Sequence, residues 1–142
     1  MREALKSARE AFAAGETPVG AVVVKDGEII GRGRNRTQAE DATCHAEVLA
    51  IREASRRLGT WRLAGCTLYV TMEPCPMCTG AIMLSRLDTV VFGLRDPRMG
   101  SCGSVIDLFM ERYGARAKVI GGILQEECGG LLREFYGKLR EK

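Results

Sequence analysis

Apolar residues recur with a helical period over positions 1 to 14. Met1, Leu5, Ala8 and Phe12, joined by Ala4 and Ala11, fall on one stripe, which predicts an amphipathic helix ended by Gly15. The period then changes. Residues 19 to 25, VGAVVVK, form a β-branched run, KDGE supplies an Asp-Gly turn, and residues 28 to 34 read as a second strand, so a hairpin is predicted. A loop rich in Asn, Thr and Asp leads to a helix from about His45 to Leu58, closed by Gly59. Further along, CTLYVTM (66 to 72) has strand character, PMCTGAIMLSR (76 to 86) helical character, and TVVFGL (89 to 94) strand character again. Beyond the loop RDPRMGSCGS, the pattern predicts a helix near 105 to 113, a fifth strand within AKVIGGI, and a helix from about 125 to 140. Strands alternating with helices imply an α/β architecture whose sheet is covered on both faces, and the opening hairpin makes that sheet mixed.

The 142 residues suffice for one compact domain with a real core and are few for two, so a single domain over residues 1–142 is expected. Hydrophobic residues make up 46% and charged residues 27%, the balance of a folded water-exposed protein and not of a disordered one. Runs such as GAVVV and GAIML are far too short to span a membrane, and Met1 leads straight into charged residues without a signal peptide, so a cytoplasmic location with no membrane partner is expected. The net charge of +3 is spread along the chain, which is compatible with a nucleic-acid partner without arguing for one. Six cysteines could form a disulfide framework, but a chain of this size has core enough without one.

Cysteine spacing carries more information than cysteine number. PCPMC places Cys75 and Cys78 two residues apart, directly after a strand and at the start of a helix, with Pro76 suited to the first helical position. Cys75 is then the cap and Cys78 lies about one turn later on the same side. Thiolates at a helix N-terminus are stabilised by unpaired backbone donors and the positive end of the dipole. A redox disulfide or half of a zinc site would both use such a pair. The metal reading requires further ligands, and the only histidine, His45, opens another helix 30 residues upstream of Cys75. One His and two Cys make the donor set of a catalytic zinc site, whose fourth position is left to water. Cys44, adjacent to His45, is the candidate fourth ligand that would close a structural site. Successive side chains on a helix diverge by about 100°, so Cys44 reads instead as a small buried residue.

Glu47 shares a helical stripe with Ala50, Ile51, Ala54 and Leu58, which projects it from the core face. A first-turn glutamate commonly serves as a helix stabiliser through the dipole. Beside a zinc-activated water, a carboxylate has a second use, as the group that takes up and returns a proton. Residues 45 and 47 lie about 200° apart on a helix, so both meet one site only if His45 occupies the non-helical cap.

HAE followed by PCPMC is the H-x-E … P-C-x-x-C signature of zinc-dependent nucleobase and nucleoside deaminases. With PVGAVVV, GRGRN, LYVTMEPCPMC, VVFGLRDPRMGSCGS and EECGGLLREFY, nearly the whole chain resembles the bacterial TadA-type tRNA adenosine deaminases of the cytidine/deoxycytidylate deaminase superfamily. That resemblance implies a three-layer α/β/α cytidine-deaminase-like fold with a central five-stranded mixed sheet. It also implies one Zn2+ per subunit, a homodimer, and hydrolytic conversion of adenosine to inosine at the wobble position of a tRNA anticodon stem-loop. By the same resemblance His45, Cys75 and Cys78 are the zinc ligands and Glu47 the proton shuttle. Asn35 and the main-chain amide of Ala46 hold the target base, and Asp96 lies in a loop beside the target nucleotide. Arg36, Arg98, Phe135 and Tyr136 are possible tRNA contacts, although Phe135 and Tyr136 are adjacent on a helix, so one of them belongs to the core. Arg32, Arg34 and Arg36 alternate along the end of the second strand and serve either as phosphate contacts or as a solvated face. Two other functions share parts of the pattern. One is deamination of a free base or nucleoside such as guanine, cytosine or cytidine; the other is a non-enzymatic zinc-stabilised RNA-binding module closed by Cys44.

Overall fold

The computed structural model describes residues 1–141; Lys142 lies outside the described residues. Helix α1 runs from Arg2 to Ala13 and buries Ala4, Leu5, Ala8 and Ala11 of the expected stripe, and Gly15 turns the chain out of it with φ +77°. Strands β1 (Gly20–Lys25) and β2 (Glu28–Arg34) pair antiparallel across Asp26 and Gly27, both with positive φ as a tight hairpin turn requires. Helix α2 (Ala46–Leu58) ends at Gly59 in the left-handed region. Strand β3 (Cys66–Met72), helix α3 (Pro76–Ser85), strand β4 (Thr89–Leu94), strand β5 (Lys118–Ile120) and helix α4 (Gln125–Arg140) follow.

The five strands form one sheet in the order β2-β1-β3-β4-β5. β1 is antiparallel to both neighbours, whereas β3, β4 and β5 are parallel, so the sheet is mixed as predicted. Its central strands bury Ala21, Val23, Leu68, Val70, Val90 and Phe92 completely. Near-continuous apolar runs such as VVV and VVF follow from burial on both faces. No helix among the described residues is long and apolar enough to cross a membrane.

Glycines set how closely two helices approach the sheet. A Cβ on Gly20 would lie 2.1 Å from the carbonyl oxygen of Ala4 in α1, and one on Gly33 would lie 2.1 Å from that of Ala46 in α2. Gly20 is paired with Arg34, the neighbour of Gly33, so these two glycines point to opposite faces and α1 and α2 cover opposite sides. Gly31 repeats the approach one pleat along, against Ala50 and Ala54. α4 joins α1 on its side, and α3 lies beside α2, completing three α/β/α layers.

The helix expected near 105 to 113 is absent. That segment holds only a single 3-10 turn, Leu108–Met110, capped by the Asp107 carboxylate on the amide of Phe109. Its backbone groups bond across the loop instead of along a helix: Cys102 bridges to Asp107, Leu108 donates to the Ser101 carbonyl, and Val105 to that of Gly100. Gly114, at φ +76°, then turns the chain toward β5.

Replacing Gly33 with Ala places a methyl group against backbone on α2 that cannot swing aside. Urea unfolding should show a loss of about 1–3 kcal/mol, as for other overpacked sites. An unchanged midpoint would contradict this close approach.

Candidate active site and metal centre

The site lies beyond the ends of β2 and β3, where two helices begin. His45 is the N-cap of α2 and Cys75 the N-cap of α3, and both have extended backbone, at φ −82°, ψ 152° and φ −76°, ψ 175°. An extended cap frees the side chain from the helical spiral, which resolves the angular problem between His45 and Glu47. The Nδ1 atom of His45 lies 3.5 Å from Cys75 Sγ and 3.4 Å from Cys78 Sγ. Donors at tetrahedral angles, about 2.3 Å (S) and 2.0 Å (N) from zinc, would be about 3.6 Å apart, so these three side chains fit the ion. All their donor atoms lie within 4.8 Å of one another. His45, Cys75 and Cys78 are thus the residues that would hold a zinc ion here.

Cys44 is buried but stands outside this group. Across an extended residue successive side chains point to opposite sides, so the conformation that turns His45 toward the cysteines turns Cys44 away. Its main-chain carbonyl instead accepts the amide of Arg36 at 2.9 Å, closing the neck of the loop between β2 and α2.

Charge within the cluster is divided unevenly. Cys75 is pulled down to about 4 by the hydrogen bond from Cys78 and, against the opposing effect of burial, by His45. Cys78 is held protonated by donating to Cys75 and by its own burial. The His45 imidazole is raised by its hydrogen bond to Cys75.

A cleft of about 230 Å³ opens onto these residues and is lined by Asn35, His45, Ala46, Glu47, Cys75 and Asp96. Glu47 is 4% exposed, and burial pushes its pKa up to about 7. Asn35 is buried at the end of β2, its main-chain amide bonded to the Val19 carbonyl and its Nδ2 donating to Thr37 Oγ1 at 3.4 Å. Asp96 Oδ1 accepts the amides of Arg98 and Met99, which braces the turn after β4.

The remaining predicted residues lie apart from the cleft lining. Arg36 is exposed and pairs with Glu40 at 3.7 Å, and the Arg98 side chain is exposed. Arg32 is drawn toward α1 by Glu3 at 2.9 Å. Of the aromatic pair, Phe135 is the core member, buried edge-to-face against Phe12 with ring centroids 5.6 Å apart, which leaves Tyr136 with the exposed ring.

Sequence reasoning missed five contributors. Thr17, Val19, Thr37 and Met72 complete the cleft wall, Thr17 and Thr37 outside any quoted motif and Val19 and Met72 inside one but given no role. Glu73, 3% exposed, accepts the amides of Asp96, Cys102 and Ser104 and the Ser104 hydroxyl, tying the loop after β4 to the turn that carries Cys75. Burial alone would raise its pKa, but these donors outweigh burial and hold it below the ordinary carboxylate range. An acid directly before Pro-Cys was the one available signal.

Because the Cys78 thiol holds a proton that a metal must displace, zinc uptake at neutral pH should release protons, and affinity should fall as pH falls. Calorimetry in buffers of differing ionisation enthalpy measures this directly; buffer-independent heats would contradict it. His45→Ala should lose the metal.

Comparison with known proteins bears on the same residues. The sequence model of the cytidine and deoxycytidylate deaminase zinc-binding region matches residues 1–94, which include His45, Glu47, Cys75 and Cys78. The chain is 52% identical over 144 residues to the tRNA-specific adenosine deaminase of Bacillus subtilis (strain 168), covering 100% of this chain and 89% of that protein. A structure from a study of A-to-I editing by tRNA:A34 deaminases at the wobble position of transfer RNA superposes with a TM-score of 0.89 at 40% identity, over 93% of this chain and 97% of that one. Guanine deaminase from Bacillus subtilis matches with a TM-score of 0.63 at 46% identity, over 66% of this chain and 61% of that chain. With its zinc donors and buried glutamate inside the matched region, the chain belongs to the cytidine and deoxycytidylate deaminase family of zinc-binding proteins.

Proposed function

We propose that residues 1–142 act as a single catalytic domain that converts adenosine to inosine in RNA by hydrolytic deamination, with the wobble position of a tRNA anticodon as its target. The observation that carries this reading is the buried Glu47 carboxyl in the same cleft as an open three-donor metal set and the Asn35 carboxamide. The likeness to a tRNA-specific adenosine deaminase over nearly the full length of both chains supports the choice of substrate.

Zinc, held by His45, Cys75 and Cys78, supplies the Lewis acidity that makes water a competent nucleophile at neutral pH. Glu47 is the proton carrier. Its carboxylate takes one proton from the attacking water and passes it to N1 of adenine, then takes the second from the new C6 hydroxyl and gives it to the exocyclic amine as C6–N6 breaks, so that ammonia leaves and the oxygen stays on C6 as the carbonyl. A pKa near neutrality suits a group that must both accept and donate within one turnover. Asn35 and the first amide of α2, that of Ala46, hold the base, and Asp96 stands beside the target nucleotide.

To enter the cleft the target base must leave its stack, which favours a loop over a duplex and hence the anticodon stem-loop. Arg36, Arg98 and the exposed face of Tyr136 are proposed contacts to that RNA, with Phe135 supporting Tyr136 from the core. Leu84 is 72% and Tyr113 69% exposed, and both border one apolar groove with Pro76 and Met83. A second copy of the chain would cover such a surface, which supports the homodimer. A tRNA substrate also favours the cytoplasm.

The likeness to guanine deaminase favours a second reading, deamination of a free base. A zinc-stabilised RNA-binding module is less favoured, because Cys44 does not close the donor set. Purified, zinc-loaded protein offered tRNA, guanine, cytosine, cytidine and adenosine in parallel discriminates between the readings. Inosine should form at the wobble position of tRNA, with no comparable turnover of the free compounds; the reverse preference would overturn the assignment. Glu47→Gln should keep its zinc and slow inosine formation by about 10²–10⁴-fold.

A further inference from the structure

We propose that Glu16 is a positioning residue that acts through Thr37 to set the orientation of the Asn35 carboxamide. The inference rests on the functional reading above.

Glu16 is 1% exposed, yet its carboxylate has no cationic partner among the described residues. Its two oxygens accept main-chain amides from consecutive residues of the loop between β2 and α2: Oε1 from Gln38 and Oε2 from Ala39, each at 2.9 Å. Glu16 is itself anchored, since its amide donates to the Ala11 carbonyl at 2.9 Å, against the last turn of α1. One end of the clamp is therefore core, and the other is a loop whose residues 38 to 43 are all exposed. Amides on such a loop would ordinarily bond to water, and a charge buried to hold them is costly unless it is fully bonded.

The loop carries one residue into the cleft between Asn35 and the clamp. Thr37 lines the same wall as Asn35 and Thr17, and its Oγ1 accepts Asn35 Nδ2 at 3.4 Å. The Asn35 backbone is fixed separately, through its amide on Val19. What the clamp governs is thus the side chain: with one N–H of its amino group on Thr37, the carboxamide is held in one orientation and offers its oxygen and its second N–H to the ligand. Glu16 lies outside the set of cleft-lining residues, so its effect on a bound base travels through Gln38, Ala39 and Thr37.

Two measurements test this. In the wild-type protein, amide exchange by NMR should show Gln38 and Ala39 protected about tenfold or more relative to Ala42 of the same exposed loop. Equal rates would overturn the clamp, and this result does not depend on activity or on any variant folding. Single-turnover inosine formation at saturating RNA should fall about tenfold or more in Glu16→Ala and in Thr37→Val, with zinc content unchanged. The double variant should be no slower than the slower single one, because both break one chain of contacts. Glu16→Gln, which keeps an acceptor for one amide, should retain part of the rate. Wild-type rates in the folded, zinc-loaded single variants, or losses that multiply in the double, would overturn the proposal. If the wild type forms no inosine, the functional reading fails, and amide exchange alone decides the clamp.

Discussion

Everything at this site depends on two helix caps meeting. His45 and Cys75 are each the last extended residue before a helix, and the fold brings their side chains to 3.5 Å. That meeting needs α2 pressed against β2, which the absence of side chains at Gly31 and Gly33 allows, and α3 launched from the end of β3, which Pro76 favours. The same arrangement directs two helix N-termini, with their unpaired amides, at one point. Such a place stabilises thiolate and favours a polarised substrate atom, so the metal donors and the chemistry share one electrostatic origin.

Two buried glutamates beside this centre show how environment assigns work to one residue type. Glu73 is surrounded by donors from the loop after β4 and stays ionised, a fixed anchor for the turn carrying Cys75. Glu47 is as deeply buried, but burial dominates and brings its pKa up to about 7, where it can exchange a proton. Acids whose surroundings push them apart in this way divide into structural and proton-transferring roles.

Much of this was legible in the chain. Strands 28–34, 66–72 and 89–94 coincide with the structure because their apolar runs end at unambiguous turn residues, and the Asp26–Gly27 hairpin has the chemistry its turn demands. His45 and the Cys-x-x-Cys pair could be joined without coordinates because few donor sets serve zinc. The helix expected near 105 to 113 failed because that segment satisfies its backbone against a loop that precedes it, which local periodicity does not report. Glu16 was invisible for the same reason: its partners are 22 and 23 residues away and are amides, which every sequence possesses. Cys44 stayed open until the backbone angles of His45 showed which way each side chain turns.

The most direct test of the open donor set is X-ray absorption at the zinc edge on the loaded protein. The account predicts a first shell of two sulfurs and one imidazole nitrogen, with the remaining donor a lighter atom. A shell of three sulfurs, with Cys44 drawn in to close it, would contradict it.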